Sequence, residues 1–472
     1  MPESLYQERI EIYPRSVKGR YRSIKTGILI LAYSVYFLLP WLRWEREVGF
    51  NQAVLFDITG RRFYIFDLVV YAQDIFWLAG LLVIGALLLF FVTGLAGRVF
   101  CGYFCFQTLW TDVFVFIERF VQGERNARMK LAQAPWSNEK ALKIGLTHFL
   151  WIMVAFLTGL SFTLYWGDAP VLALQMLKGD APFAAYATTL FLTLTTYVMA
   201  GLAREQVCTY MCPYARFQAV MFDSDTLIVA YDEARGERGN GRQKPTKGLM
   251  TSAERDNASV GDCIDCGYCV QVCPTGIDIR NGLQYQCTSC ALCIDACNTI
   301  MTSIKFPTGL IKYSSEHALQ GKKTTLFKAK NVGYAVIMLA TIALLVWSIA
   351  TRSDVEMLVQ QIRQPLSVSL SDGRVQNRYA VKINNKTTKA IKFHMSIEGL
   401  KDAELDMGNF TDLTIPAEQS VKVSAKVRVF PKNVLLSRTK FNFVINSVNT
   451  KVKHKVSQQN VFYVPEKQLI KK

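Results

Sequence analysis

Eight cysteines fall in two runs of one spacing, Cys263-x2-Cys266-x2-Cys269-x3-Cys273 and Cys287-x2-Cys290-x2-Cys293-x3-Cys297. An iron–sulfur cluster needs four soft thiolates around a compact inorganic core, and three cysteines on one tight turn supply three of them. Where two such clusters lie side by side, the fourth cysteine of each run ligates the other cluster. The spacing therefore assigns Cys263, Cys266, Cys269 and Cys297 to one 4Fe-4S cluster, and Cys287, Cys290, Cys293 and Cys273 to a second. Structural zinc also takes Cys-x2-Cys pairs, but eight cysteines in two triple-plus-one runs exceed what two zinc knuckles need. A disulfide framework fits less well still, because these residues are expected in a reducing compartment.

Four further cysteines form two pairs, Cys101-x3-Cys105 and Cys208-x3-Cys212. Each pair follows an apolar run and an arginine (Arg98, Arg204), and each reads Cys-x-Tyr-x-Cys. Gln107 and Asp112 after the first are echoed by Gln218 and Asp223 after the second, which points to an internal repeat. Cysteines four apart share one helix face, so each helix end could present a two-sulfur claw, and two claws could meet in a four-sulfur site. The neighbouring arginines would favour thiolate over thiol. Soft thiolates select Cu(I), zinc or iron–sulfur, and Met211 could add a thioether. The plainer alternative is a set of small buried residues at a helix interface, which a duplicated pair at matched positions disfavours. Histidine contributes little. His148, alone in an apolar span, reads as a hydrogen-bonded core residue; His317 falls in a linker, and His394 and His454 fall in the C-terminal tail.

The elements that must position these cysteines are membrane helices. The chain has 472 residues, 51% apolar and 19% charged, with a net charge of +17. Soluble domains carry about 25% charged residues. Five stretches, about 24–42, 74–96, 144–166, 183–202 and 331–350, reach the roughly 20 apolar residues a spanning helix needs. The first has a basic front but no small-residue cleavage site, so it reads as a retained helix and not a secretory signal. Lys and Arg number 6 in 1–25, 4 in 43–73, 7 in 97–143, 1 in 167–182 and 15 in 203–330. The higher counts fall on alternate loops, which places the N-terminus, 97–143 and 203–330 in the cytoplasm and exports 351–472. All twelve cysteines fall on the cytoplasmic side of this arrangement. The basic excess flanks apolar runs and forms no single patch with stacking aromatics, which excludes a nucleic-acid partner. The threonines of the fourth span (Thr188, Thr189, Thr193, Thr195, Thr196) read as interhelical hydrogen bonding.

Six segments follow: 1–230 with four membrane helices and both cysteine pairs; 231–259, a Gly- and Arg-rich flexible linker; 260–300 with the two cluster motifs; 301–330, a cytoplasmic linker; 331–350, the last span; and 351–472. The tail alternates apolar and polar residues, as in Ser420-Val421-Lys422-Val423-Ser424-Ala425-Lys426-Val427, with Asn, Asp, Gly and Pro between runs. About seven short strands fit an immunoglobulin-like sandwich without its disulfide. The fold class is thus a multi-domain membrane protein: a helical bundle of about five spans, a two-cluster insert and an all-β C-terminal sandwich.

Residues 260–300 resemble bacterial two-cluster ferredoxins, with Asn298 standing where a proline usually follows the last cysteine. The order of parts over nearly the whole chain resembles the cytochrome oxidase accessory protein family of the CcoG, FixG and RdxA type, membrane polyferredoxins of the bacterial inner membrane. That resemblance implies electron transfer through the eight cluster cysteines and reduction of Cu(II) to Cu(I) for assembly of a cbb3-type oxidase. It makes Cys208 and Cys212, before Pro213, the redox-active copper residues, with Cys101 and Cys105 as further copper ligands; Phe106 stands where the first pair would have its proline. Implied partners are a cytoplasmic electron donor and, on the periplasmic side, oxidase subunits or copper-delivery proteins. Two other readings keep the same motifs: a polyferredoxin passing electrons to quinone or another membrane reductase, and a non-enzymatic assembly scaffold.

Overall fold

The structure is a computed structural model that describes residues 11–46, 49–71, 74–246, 248–325, 327–387, 389–408, 412–434, 436–448 and 455–466. His454 lies outside them. The chain divides into two compact units, residues 1–43 with 52–345 and residues 44–51 with 346–472.

The first unit opens on an extended arm that leads into α1 (Arg20–Leu38). A three-stranded antiparallel sheet follows, β1 (Val54–Asp57), β2 (Arg62–Ile65) and β3 (Leu68–Tyr71), in a stretch that the charge count treats only as a loop. Next come α2 (Ile75–Ala96), the short α3 (Val99–Tyr103), α4 (Phe106–Gln122), α5 (Arg125–Gln133), α6 (Asn138–Leu164), α7 (Ala169–Lys178) and α8 (Phe183–Thr196). The last of these continues as a wider π-type turn over Tyr197–Ala203, and a second such turn covers Val207–Met211. Beyond it lie α9 (Pro213–Met221), β4 (Ile228–Tyr231), α10 (Glu233–Gly236), α11 (Ser252–Asn257), α12 (Tyr268–Gln271), α13 (Leu292–Ser303), β5 (Ile311–Ser314), α14 (Glu316–Leu319) and α15 (Ala329–Ala350).

Among the described residues six helices are long and apolar enough to cross a membrane, not five. Five coincide with the expected spans. The sixth is Val99–Gln122, which is broken at Phe104–Cys105 and is the most buried of the set. The break divides its apolar run, and its two carboxylates have partners inside the unit. Asp112 accepts from Arg22 at 2.9 Å and lies 3.8 Å from Lys25; Glu118 accepts from Arg128 at 2.9 Å and also from Arg204. Trp110 donates to Thr158 Oγ1 at 2.8 Å, and Trp151 of α6 donates to the Phe114 carbonyl at 3.1 Å. Helix α6 approaches α8 closely at Gly159, where a Cβ would lie 3.0 Å from Thr193 Oγ1. Thr163 and Thr189 hydroxyls pair there at 2.8 Å, whereas Thr193 and Thr195 bond back to their own helix. The Thr-rich span therefore joins helices through one threonine rather than through the whole set.

The cluster motifs are clamped between β4 and β5, which pair antiparallel with Ile228 opposite Ser314 and Tyr231 opposite Ile311. Residues 231–259 are not an open tether. Arg255 is fully buried and donates to the carbonyls of Leu249, Gly261 and Gln243 at 3.1, 2.6 and 2.8 Å. Thr251 and Glu254 close a capping box on α11, which satisfies two otherwise unpaired helix-start amides. The folded insert thus extends from β4 to β5, beyond 260–300 on both sides, and takes up part of the segment read as a linker after 301.

The second unit is a sandwich of two antiparallel sheets. One holds β6 (Val355–Gln361), β7 (Val368–Ser369), β8 (Val375–Asn385), β10 (Glu404–Asp406) and β12 (Ser420–Val429), in the order β10-β12-β8-β6 with β7 beside β8. The other has the order β11-β9-β13-β14, from β9 (Ile391–Glu398), β11 (Asp412–Ile415), β13 (Arg438–Val448) and β14 (Lys455–Tyr463). Alternation decides the faces: Val423, Ala425, Val427 and Val429 of β12 are buried against Phe393, Phe441, Phe443 and Phe462, while Ser424 is exposed.

Candidate iron–sulfur and thiol site

The two cluster motifs fold alike at the backbone. Asp265 and Gly267 take φ of 50° and 66°, and Ser289 and Ala291, at the same offsets in the second run, take 52° and 60°. This left-handed region is costly for residues with a Cβ, and its recurrence at matched positions shows that the turn, not the residue type, dictates it. Turns built on such residues can gather backbone N–H groups into an anion-binding nest, which suits an iron–sulfur core. Helix α12 starts at Tyr268 and α13 at Leu292, each directly after its left-handed residue.

Two cavities result. One, of about 370 Å³, is lined by Cys263, Cys266, Cys269 and Cys297, with Tyr231, Met301 and Leu310 among its walls. The other is lined by Cys273, Cys287, Cys290 and Cys293, together with Cys269, Val229 and Ile279. Each holds one of the four-thiol sets expected from the spacing, including the exchanged fourth cysteine, and thiol donors around a dry concavity fit a 4Fe-4S cluster. Burial pushes the Cys269, Cys287 and Cys297 thiols up to about 12. Ligation by iron must displace those protons, so cluster binding and folding of the insert are linked. Arg280 stands beside the first cavity, held by Asp278 at 2.7 Å and Asp265 at 2.5 Å.

The insert is tied to the helices at named points. Asp295 of α13 caps the start of α1, accepting from the backbone amides of Tyr21 and Arg22 at 3.3 and 2.8 Å. Val17 of the arm packs with Val272, Cys290, Leu292 and Ala296. Tyr103 donates to the Cys290 carbonyl at 3.1 Å. Gly102 lies so close that a Cβ there would meet the Thr288 carbonyl at 2.8 Å and Cys290 Cα at 2.9 Å. Arg98, only 5% exposed, donates to the carbonyls of Tyr285 and Ala215, the latter at 2.6 Å.

The two Cys-x3-Cys pairs repeat in three dimensions as well as in sequence. Four residues before each first cysteine the backbone kinks, at Gly97 (φ 57°, ψ −125°) and at Arg204 (φ 43°, ψ −113°). Each second cysteine is the residue that caps the following helix, Cys105 for α4 and Cys212 for α9. The pairs therefore do not share one α-helical face: Cys105 N bonds the Phe100 carbonyl at 3.0 Å and Cys212 N the Val207 carbonyl at 2.8 Å, each a five-residue step. The polar residues after each pair reach across to the other. Gln218 accepts from the Cys101 thiol at 3.3 Å, and Gln107 donates to the Arg204 carbonyl at 3.2 Å. Cys101, Cys105, Cys208 and Cys212 lie near enough to act on one another's charge. Burial pushes the Cys208 thiol up to about 11, and the Arg98 guanidinium offsets this only in part. Arg204 does not serve as the expected thiolate partner, since its guanidinium pairs with Glu118 and bonds the Gly201 carbonyl at 2.8 Å. Met211 is largely exposed (63%). Among the described residues no three His, Cys, Asp or Glu side chains converge on a single-ion position, and the two-sulfur claw on one helix face is not formed. His148 Nδ1 pairs with the Tyr197 hydroxyl at 3.0 Å as a core residue should, and His317 Nδ1 with Asp225 at 2.8 Å.

Buried four-cysteine cavities docked against membrane-length helices define a membrane-bound iron–sulfur electron-transfer protein. Family models agree: residues 203–316 match a 4Fe-4S dicluster domain, 78–122 a 4Fe-4S binding domain, and 345–465 an IG-like fold at the C-terminal of FixG. The chain is 39% identical over 427 residues to protein RdxA of Cereibacter sphaeroides, covering 88% of both chains. It is also 39% identical over 434 residues to the nitrogen fixation protein FixG of Rhizobium meliloti, covering 85% of this chain and 82% of that one. Protein RdxB of Cereibacter sphaeroides is 39% identical over 430 residues, with coverage of 89% and 88%. A solved FixG-related protein from Vibrio parahaemolyticus aligns with 23% of this chain and 95% of its own, at 17% identity and a TM-score of 0.21. The chain belongs to the FixG/RdxA family.

Proposed function

We propose that this protein is a cupric reductase: it passes single electrons from a cytoplasmic donor, through the two cluster sites, to Cu(II) held at the paired thiols, and supplies Cu(I) for assembly of a cbb3-type oxidase. The observation that carries the reading is the contact between the two sulfur groups. Gly102, one residue after Cys101, lies against the backbone of Cys290, and Arg98 bonds both the second cluster loop and α9. When bound, the clusters supply reversible one-electron storage. The chain's own residues do the rest. Cys263, Cys266, Cys269 and Cys297 hold one cluster and Cys273, Cys287, Cys290 and Cys293 the other, while Val229, Ile279 and Leu310 keep water from them. Cys208 and Cys212, with Cys101 and Cys105, hold copper, and soft thiolates favour the Cu(I) product.

The loop charges support a topology in which both sulfur groups face the cytoplasm and the C-terminal sandwich faces the periplasm, where it docks oxidase subunits or copper-delivery proteins. The ion pairs of α4 support its lying with the cytoplasmic ends of the other helices, since Arg22, Lys25 and Arg128 come from segments on that side. The test is cupric reduction by anaerobically purified protein carrying Cys208→Ser and Cys212→Ser. The expected result is at least a tenfold loss of turnover with iron content unchanged. Undiminished turnover and copper retention would remove these residues from the mechanism.

A further inference from the structure

Beside the thiol pairs lies a small, partly open cavity that the cluster and copper assignments leave unused. Arg15, Arg22, Lys25, Arg119 and Arg204 line it, against Asp112 and Glu205. Arg204 is set against Glu118 and Arg22 against Asp112. Arg15, Lys25 and Arg119 then still outnumber Glu205. Glu124 also acts on Arg119, but it accepts from the Ser16 amide at 3.4 Å and forms no part of the wall. One buried donor at the cavity, Arg119 Nε, has no hydrogen-bond partner among the described residues; the Asp112 Oδ2 acceptor is also unpaired and adds nothing to the case for an anion. Lys25 is 2% exposed and stands 3.8 Å from its nearest carboxylate. Buried donors without acceptors are costly unless a ligand answers them.

The cavity also touches both sulfur groups. Cys208 forms part of its wall, and Thr275, Thr288 and Leu292 are shared with the cavity of the second four-cysteine set. An excess of positive charge in a partly enclosed cleft concentrates anions and repels a bare dication. We propose that this cavity is an anion site and that it admits copper as a negatively charged complex of Cu(II) with a carboxylate-bearing chelator. The inference rests on the copper reading given above and specifies the form of the substrate. Handover exchanges the chelator's donor atoms on copper for the sulfurs of Cys208 and Cys212, whose thiol protons pass to water. Reduction then adds one electron to Cu(II), drawn from the external one-electron donor by way of the cluster-bearing insert.

The test uses anaerobically purified full-length protein in detergent, its fold checked by its visible iron–sulfur absorption. Equilibrium dialysis compares the singly negative Cu(II)–nitrilotriacetate complex with the doubly positive Cu(II)–bis(ethylenediamine) complex. The negative complex should be retained at least tenfold more tightly, and metal-free nitrilotriacetate should compete with it. Arg119→Gln should weaken its retention on the order of tenfold, the effect expected for one charged hydrogen bond, and Arg119→Lys should restore most of it. Equal retention of the two complexes would overturn the proposal, as would unchanged retention of the negative complex in both Arg119→Gln and Arg15→Gln. The copper reading fails separately: nitrilotriacetate would still dock and still depend on Arg119, while the Cys208→Ser, Cys212→Ser protein reduced copper as before.

Discussion

Arg98 shows how one residue can fasten a soluble module to a membrane helix. Its guanidinium is buried and bonds carbonyls from the second cluster loop and from α9. Replacing it with methionine keeps most of the apolar stem but leaves those carbonyls unpaired, at a cost of about 2–3 kcal/mol. Hydrogen exchange should then rise at residues 285–290 while residues in α6 stay protected. The thiols make a second prediction at this scale. Cys208 is raised from the ordinary thiol value to about 11, so the folded protein holds that proton more tightly than the unfolded chain does. Stability of the copper-free protein should be full below about pH 9 and should fall as pH rises toward 11. Over the same window alkylation of Cys208, followed by mass spectrometry, should accelerate. Some of this was readable in the residues themselves: the spacing of the eight cysteines sorts them into the same two groups that line the two cavities, apart from Cys269, which lines both. The role of Arg204 was not, because a basic residue next to a thiol in sequence says nothing about Glu118, which reaches it from another helix.

At the scale of elements, the close approach of α3 to the second cluster loop depends on the missing side chain at Gly102. Gly102→Ala should push that loop away, lowering copper reduction while the iron content holds; an unchanged rate would show that the contact is not needed. Asp295→Ala should remove the cap on α1 and cost about 1 kcal/mol, seen as a lower midpoint for thermal loss of the iron–sulfur absorption. The sequence displayed the apolar spans because lipid demands long uninterrupted runs, but it concealed α4, whose apolar run is divided by the break and carries Asp112 and Glu118. It also concealed the kink at Arg204, since a positive φ at arginine follows from the packing of the turn and not from residue type. The stretch around Arg255 reads as a linker because Gly, Arg and Asn dominate it. Burial of a single arginine by three carbonyls is a tertiary event with no local pattern.

At the scale of the molecule, sulfur chemistry and β-sandwich belong to different compact units. All twelve cysteines belong to the unit formed by residues 1–43 and 52–345, and the sandwich has its own continuous core. Residues 352–466 expressed alone should therefore fold cooperatively, with a β-type circular dichroism spectrum and a single thermal transition. The sandwich was legible from alternation because both of its sheets have one buried face, as β12 shows. By contrast, the three-stranded sheet at 54–71 is short, and its alternation was lost beside the apolar spans.

In the proposed function, electrons stored in the insert reach copper at the thiol pairs. Its most direct test is stopped-flow mixing of the dithionite-reduced, desalted protein with Cu(II) in the absence of oxygen, with a Cu(I)-specific chromophoric chelator present. The iron–sulfur absorption should return to its oxidised form as Cu(I) appears, one electron for each copper, and both signals should slow together in the Cys208→Ser, Cys212→Ser protein. Insert reoxidation that ignores copper, or Cu(I) formation that proceeds equally without those two cysteines, would contradict it.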